Sequence, residues 1–517
     1  MIWIIAKKDF LNNIVTPMFI VGLLLCLALI PYTVFTGIKT YENRLTQYEN
    51  DMKSAEDIYM KSQVYAQVNP IIVNPVSPLS IFSKGIMEQT GSKVKLYRYE
   101  KPVFSSDVVQ LNENPFMGNF VSLDFVTALT ILLSLLGILF SYDMLSREKE
   151  LGTLKLSFSF SLSRSTFFLG KLTGIFLTLL PIIIICFLII LIIIQFSPSV
   201  HFSVSDYGRI GILILMSLVY FAFFVLLGGY ISSRTKTSTL SIIINLFIWC
   251  FLLFLLPNAA AYIGKNITKV EDYKQLTFNT QQVDREFWEK QEEFYQTLID
   301  EGYNPEMQFG MNSGWDMDGP NMMFFAMRWV MEAQRRYKEL ANPVLLANCD
   351  KKWSLQSDYL QQIYRQEKTV RYFSFLSPAE IFKQLAVLLC NTGMENEVSF
   401  MNQVRQFQDV YYGYFVQNKI YSSYAYMTPQ KEEDFPETRE EAEEKEREWR
   451  STAKPESTFD TSSFGYLDTS NLPRFVYVQT TLGNDLKSQM YLLTGTLMVC
   501  FLLFWFSFVS FIKYDVR

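Results

Sequence analysis

The chain has 517 residues, 50% of them hydrophobic and 16% aromatic, with one histidine and a formal net charge of -5. No basic field is available to neutralise phosphates, so the charge gives no reason to expect a nucleic-acid partner. The lone His201 removes multi-histidine metal sites and argues against Ser-His nucleophilic chemistry.

The hydrophobic residues are unevenly spread. Apolar runs of about 20 residues, the length that crosses a bilayer, lie at 14–35, 121–142, 172–196, 210–231, 240–256 and 491–512. Ahead of the first, Ile2, Trp3, Ile5 and Phe10 alternate at helical spacing with Lys7, Lys8 and Asp9, which predicts a helix lying in the membrane interface. The run that follows is longer than a signal-peptide core and is expected to stay as a span. Residues 39–62 continue as a helix. Asn69-Pro70, Asn74-Pro75 and Ser77-Pro78 then hold the chain extended, because proline biases the residue before it away from helix. A strand pair is expected at 94–99 and 103–109. Pro31 and Pro181 fall inside spans and read as packing kinks.

Lys7, Lys8, Arg147, Lys149, Lys155, Arg164, Lys171, Arg234, Lys236, Lys513 and Arg517 all fall on one side of these spans, and the opposite connection 197–209 offers only Arg209. The positive-inside rule therefore places both termini in the cytoplasm. No ionisable side chain lies well inside a span; Asp124 and Asp143 sit at the ends of the second. That argues against an ion- or proton-coupled carrier, which needs charged partners at mid-membrane.

The expected architecture is a mainly α membrane protein with six transmembrane helices, an N-terminal interfacial helix and a large, mostly helical extracytoplasmic domain. Residues 1–36 hold the interfacial helix and first span, and 37–120 form an outer segment. Residues 121–256 carry spans two to five with a cytoplasmic loop at 143–171; 257–488 form the outer domain, and 489–517 the last span and tail. Within the outer domain, helices are expected at 273–299, 321–340 and 352–366, with a glycine- and proline-rich loop at 302–320. A short apolar helix at 379–390, too short to span, opens at Ser377-Pro378 and ends at Asn391-Thr392-Gly393. The charged run 437–450 reads as a solvated helix face or linker. Four of six cysteines lie in apolar runs; Cys349 and Cys390 form a disulfide only if their region faces an oxidising compartment and brings them close.

The loop between spans two and three carries the most information. It reads Ser146-Arg-Glu-Lys-Glu-Leu-Gly-Thr-Leu, then Leu162-Ser-Arg-Ser, then Leu169-Gly-Lys171. A charged stretch interrupted by Gly152-Thr153 and followed by an amphiphilic segment suits a short helix presented to a cytoplasmic partner. On their own, the same charges would do no more than anchor the loop on the cytoplasmic side.

This pattern resembles the ABC-2 type permeases, the membrane subunits of ATP-driven exporters. Glu148, Gly152, Thr153 and Leu154 match that family's Glu-x-x-x-Gly-Thr-Leu, Ser163 and Arg164 its following turn, and Gly170 and Lys171 its Gly-Lys; Ser161 stands where proline is frequent. Lys8-Asp9 also looks like the family's connecting helix. The stretches Pro78–Gly85, Ser377–Ala379 and Asn391–Gly393, with Phe400, resemble the subset with a large domain between the last two spans.

The resemblance implies a multi-pass bacterial inner-membrane permease without catalytic residues of its own. Its ATPase-coupling residues would be Glu148, Glu150, Gly152, Thr153, Arg164, Gly170 and Lys171. No phosphate-cradling Gly-x-x-x-x-Gly-Lys-Ser/Thr occurs, so ATP and Mg belong to a separate ATPase dimer. A second permease subunit, identical or related, completes the unit. The substrate would be peptidic or hydrophobic. The alternative is a mechanotransmission complex that moves an envelope partner with nothing crossing the membrane. An enzyme with its active site in the outer domain fits least, for want of a metal spacing or a nucleophile motif.

Overall fold

The computed structural model describes residues 1–87, 92–96, 124–159, 162–304, 309–316, 319–452 and 464–514. Among the described residues six helices are long and apolar enough to cross a membrane, and they form one bundle with a helical domain on one end. The bundle end that carries residues 146–171 is called here the loop end, and the other the domain end.

α1 (Ile2–Ile14) is the predicted N-terminal helix. It lies against α6 (Arg164–Gln195), the third span, where Gly170 and Gly174 make a groove. A Cβ on Gly170 would come within 2.7 Å of Ile5, and one on Gly174 within 2.9 Å of Asp9. Small residues four apart let two helices approach this closely, and Ala6 is fully buried between them.

α2 (Pro17–Lys61) begins with Thr16 as N-cap and Pro17 in the first turn. Its 45 residues give roughly 68 Å of helix against a hydrocarbon core of about 30 Å. Its second half therefore rises out of the bundle as a strut of the domain. Pro31 is accommodated inside it without a break.

α3 (Phe125–Ser141) is the second span, capped by Asp124. α4 (Ser146–Glu150) and α5 (Thr153–Ser159) are the two short helices of the loop. α7 (Val204–Arg234) is the fourth span, opened by a reciprocal Ser203–Asp206 capping box. The fifth span starts as α8 (Ser238–Cys250) and continues as α9 (Leu256–Ile267). It was expected to end near Pro257 and does not. Proline has no N–H to give, so the helix widens to a π turn over Phe251–Leu255, and the Ser377 hydroxyl takes the Leu252 carbonyl at 2.7 Å.

In the domain, α10 (Tyr273–Asp300) packs along α11 (Arg328–Ser374), a single helix of 47 residues where two were expected. Pro343 sits inside it, and Tyr337, Ala341 and Leu345 around that proline are all buried in the domain core. α12 (Pro378–Leu389) is the short apolar helix, and it is driven as a wedge between the domain-end halves of α3 and α7. Phe382 stacks on Tyr220 of α7 at 4.9 Å. α13 (Met394–Gln417) and α14 (Arg439–Thr452) complete the domain, and α15 (Leu482–Ile512) returns as the last span along α7.

Strands are few and short among the described residues. β1 (Ile71–Val73) pairs antiparallel with β2 (Lys93–Lys95), so the start of the strand expected at 94–99 finds its partner in the proline-rich segment; 97–99 and 103–109 lie outside the described residues, as does Ser161. Cys349 and Cys390 are both free thiols, buried in separate apolar clusters.

Candidate functional site

The loop 146–171 lies where the loop-end tips of the helices converge. α3 ends at Ser141, and the backbone N–H groups of Leu145 and Ser146 both donate to the Ser232 hydroxyl of α7 at 2.9 Å. Lys149 reaches across the end of the same helix. Its ammonium donates to the carbonyls of Ser232, Ser233 and Thr235 at 3.2, 2.5 and 3.0 Å, and lies 4.4 Å from the ring centre of Tyr514. A cation over the orphan carbonyls of a helix C-terminus is favoured by both hydrogen bonding and the helix dipole.

Glu148 faces the other way. One carboxylate oxygen accepts from Lys171 at 2.8 Å and the other accepts from the Thr153 hydroxyl. Lys171 also donates to Asp9 of α1 at 3.1 Å. The cluster Asp9–Lys171–Glu148–Thr153 thus ties together the N-terminal helix, the third span and both short loop helices. Burial lifts the Asp9 carboxyl above its ordinary range, against the pull of Lys171. Gly170 lies one residue before Lys171 and allows the approach of α1 that brings Asp9 into reach.

The remaining predicted residues serve other helix ends. The Glu150 carboxylate accepts from the Ser238 N–H at 2.9 Å, at the start of α8. The Arg164 guanidinium donates to the carbonyls of Ile512 and Tyr514, the latter at 2.8 Å, at the end of α15. Gly152 has φ +70° in the turn between α4 and α5, a conformation that glycine takes without steric cost. The loop therefore contacts α1, α6, α7, α8 and α15 by polar bonds through separate side chains.

What stays outside is different in kind. Leu154 is buried and Phe158 packs on Phe167 and Phe511, so α5 is fastened by one face. Its other face and the turn before it expose Leu151 (65%), Gly152, Lys155 and Leu156 (63%). Asp9, Lys149 and Leu156 were not among the site residues expected from sequence. Asp9 was visible as part of the Lys8-Asp9 pair, whereas nothing local signals that Lys149 caps a helix more than eighty residues away.

The domain end has its own polar junction. Arg209 of α7 is 2% exposed; its guanidinium donates to Asp485 of α15 at 2.6 Å, to the Thr480 carbonyl at 3.2 Å and to the Leu389 carbonyl at the end of α12 at 3.2 Å. The two outer stretches singled out in the sequence meet beside it. Ile86 N–H donates to the Thr392 carbonyl at 3.0 Å, and Gly85, at φ +53°, lies where a Cβ would be 2.1 Å from that oxygen.

The family model described as "ABC-2 family transporter protein" matches residues 3–407. No curated protein matches the chain.

Proposed function

The chain belongs to the ABC-2 family of transporter proteins, and we propose that it is the non-catalytic permease subunit of an ATP-driven exporter, energised by a separate ATPase dimer. On this reading the loop end faces the cytoplasm of a bacterial cell, in line with the lysines and arginines gathered there, and a second permease subunit completes the transporter. Peptidic or hydrophobic cargo suits the apolar spans.

One observation carries the coupling role of the loop. Glu148, Lys149, Glu150, Arg164 and Lys171 are engaged inside the chain, at the tips of five helices, while Leu151, Gly152 and Leu156 face outward beside the exposed Lys155. A push on these outward residues reaches several spans at once. Glu148, Glu150, Arg164 and Lys171 are then residues that transmit force, and Leu151 and Leu156 are the contact with the ATPase. The paired variant Leu151→Asp with Leu156→Asp is expected to fold normally and to lose co-purification with the ATPase and its stimulation. Retention of both would remove the loop from the coupling path.

A second reading, mechanotransmission to an envelope partner, is favoured by the continuity of the helices. α2 runs unbroken from the loop end into the domain, and α7 with α15 joins the Lys149 and Arg164 contacts to the Arg209 junction. Reconstituted vesicles that turn over ATP and move the domain without exporting peptide or lipid would decide for it.

A further inference from the structure

Where the two outer stretches meet, the wall of the bundle and the floor of the domain line an open cavity of about 170 Å³. Asp124 at the start of α3, Ala261 of α9, Glu367 and Arg371 of α11, and Glu380 and Lys383 of α12 contribute to its lining. Most polar atoms there are spoken for. Asp124 accepts from the N–H groups of Thr127 (2.8 Å) and Lys84 (3.3 Å) and from the Ser83 hydroxyl (3.2 Å). Arg371 binds Glu395 and one oxygen of Glu367, and Lys383 lies 3.6 Å from Glu380.

Glu367 is the exception. Its side chain is 7% exposed, and its Oε2 is buried with no hydrogen-bond partner among the described residues. A buried carboxylate oxygen left bare costs free energy that a donor in the cavity would recover. The surroundings select a cationic donor: the carboxylates of Asp124, Glu367, Glu380 and Glu395 face two cations, Arg371 and Lys383, with Lys368 acting on Glu367 from further off. Burial, and beyond it the Glu395 charge, push the Glu367 carboxyl up to about 7 against the pull of Arg371. A metal ion would require several free oxygens. One bare oxygen beside apolar walls of Val126, Pro257 and Val370 suits an ammonium group instead.

The position of the cavity indicates what carries that ammonium. Tyr262 and Ile263 on α9, Tyr372 on α11, and Phe375 and Leu376 in the turn after it are exposed within a few residues of the cavity lining. Exposed aromatic and aliphatic side chains at the end of a span mark the headgroup level of a bilayer. We propose that this cavity binds the headgroup of an aminophospholipid, whose primary ammonium donates to Glu367 Oε2 and whose phosphate is met by Lys383. A choline headgroup has no N–H and leaves that oxygen bare. The proposal does not require the lipid to be cargo, and binding is read without nucleotide, so it stands or falls separately from the exporter reading.

The test is native mass spectrometry of the full-length chain released from nanodiscs containing equal amounts of phosphatidylethanolamine and phosphatidylcholine. Retention is expected to favour phosphatidylethanolamine about tenfold, as one charge-assisted hydrogen bond provides, and Glu367→Gln should bring the ratio close to one. Soluble phosphoethanolamine, but not phosphocholine, should displace the lipid from the unaltered chain, which keeps the test decisive if the variant fails to fold. If ethanolamine alone competes as well as phosphoethanolamine, the phosphate contact is wrong and the headgroup assignment falls with it. Equal retention of the two lipids, or an undiminished preference in a folded Glu367→Gln, overturns the proposal.

Discussion

The two ends of the span bundle are both closed by ionic contacts, but these are built in opposite ways. At the domain end, Arg209 and Asp485 form a dry pair, 2% and 8% exposed, with the spare guanidinium bonds used on backbone carbonyls of α12 and the segment before α15. At the loop end, Lys171 is shared between Asp9 and Glu148, and all three are partly wetted. A dry pair whose remaining donors are satisfied has no low-cost alternative arrangement, whereas a shared and partly solvated lysine can exchange one carboxylate for the other. The domain end is thus fitted to hold, and the loop end to rearrange.

Breaking the dry pair gives the largest expected effect. Arg209→Met leaves Asp485 buried without its cation and should cost about 3–5 kcal/mol, measured as loss of stability of the purified protein in detergent. Arg209→Met combined with Asp485→Leu should recover most of it. A cost below about 1 kcal/mol, as for a solvated pair, would erase the contrast between the two ends.

Lys171→Met should cost less, about 1.5–3 kcal/mol for the charge-assisted bonds it removes. Its effect on ATPase stimulation in the assembled transporter should exceed its effect on stability. If stimulation were unchanged, the shared lysine would be a fastening and not a moving part.

A pH-dependent effect of similar size lies in the domain. The folded Glu367 carboxyl titrates near 7, above the ordinary value of 4.5 that it has when unfolded. Its folded state therefore holds a proton that the unfolded chain has already released, so this contribution to stability is fully present below about 4.5 and is lost as pH rises through 7. Thermal unfolding followed between pH 5 and 8 should show this decline, and Glu367→Gln should flatten it.

Much of the fold was legible in residue order. The six apolar runs, the amphiphilic α1, the limits of α10 and the short α12 follow from hydropathy and helical period. Two helix limits differ. Pro257 signals a helix end by local rule, yet it lies within a continuing helix, because a π turn with the Ser377 hydroxyl rehouses the carbonyls there, and the helices expected at 321–340 and 352–366 are one helix that runs through Pro343. A local rule cannot include a bond from 125 residues away.

The loop shows the same division in its clearest form. Its motif, its placement between two spans and the absence of a phosphate-binding loop are properties of the sequence alone, since each depends on residues a few positions apart. Which of its side chains are already used, and which are left for a partner, depended on Asp9, Ser232, Ser238 and Ile512 arriving from four other helices. Charge at neighbouring positions marks a segment as polar; only the packed structure decides whether that charge is spent within the chain. Here it is largely spent within, and the exposed side chains of the loop include the apolar Leu151 and Leu156.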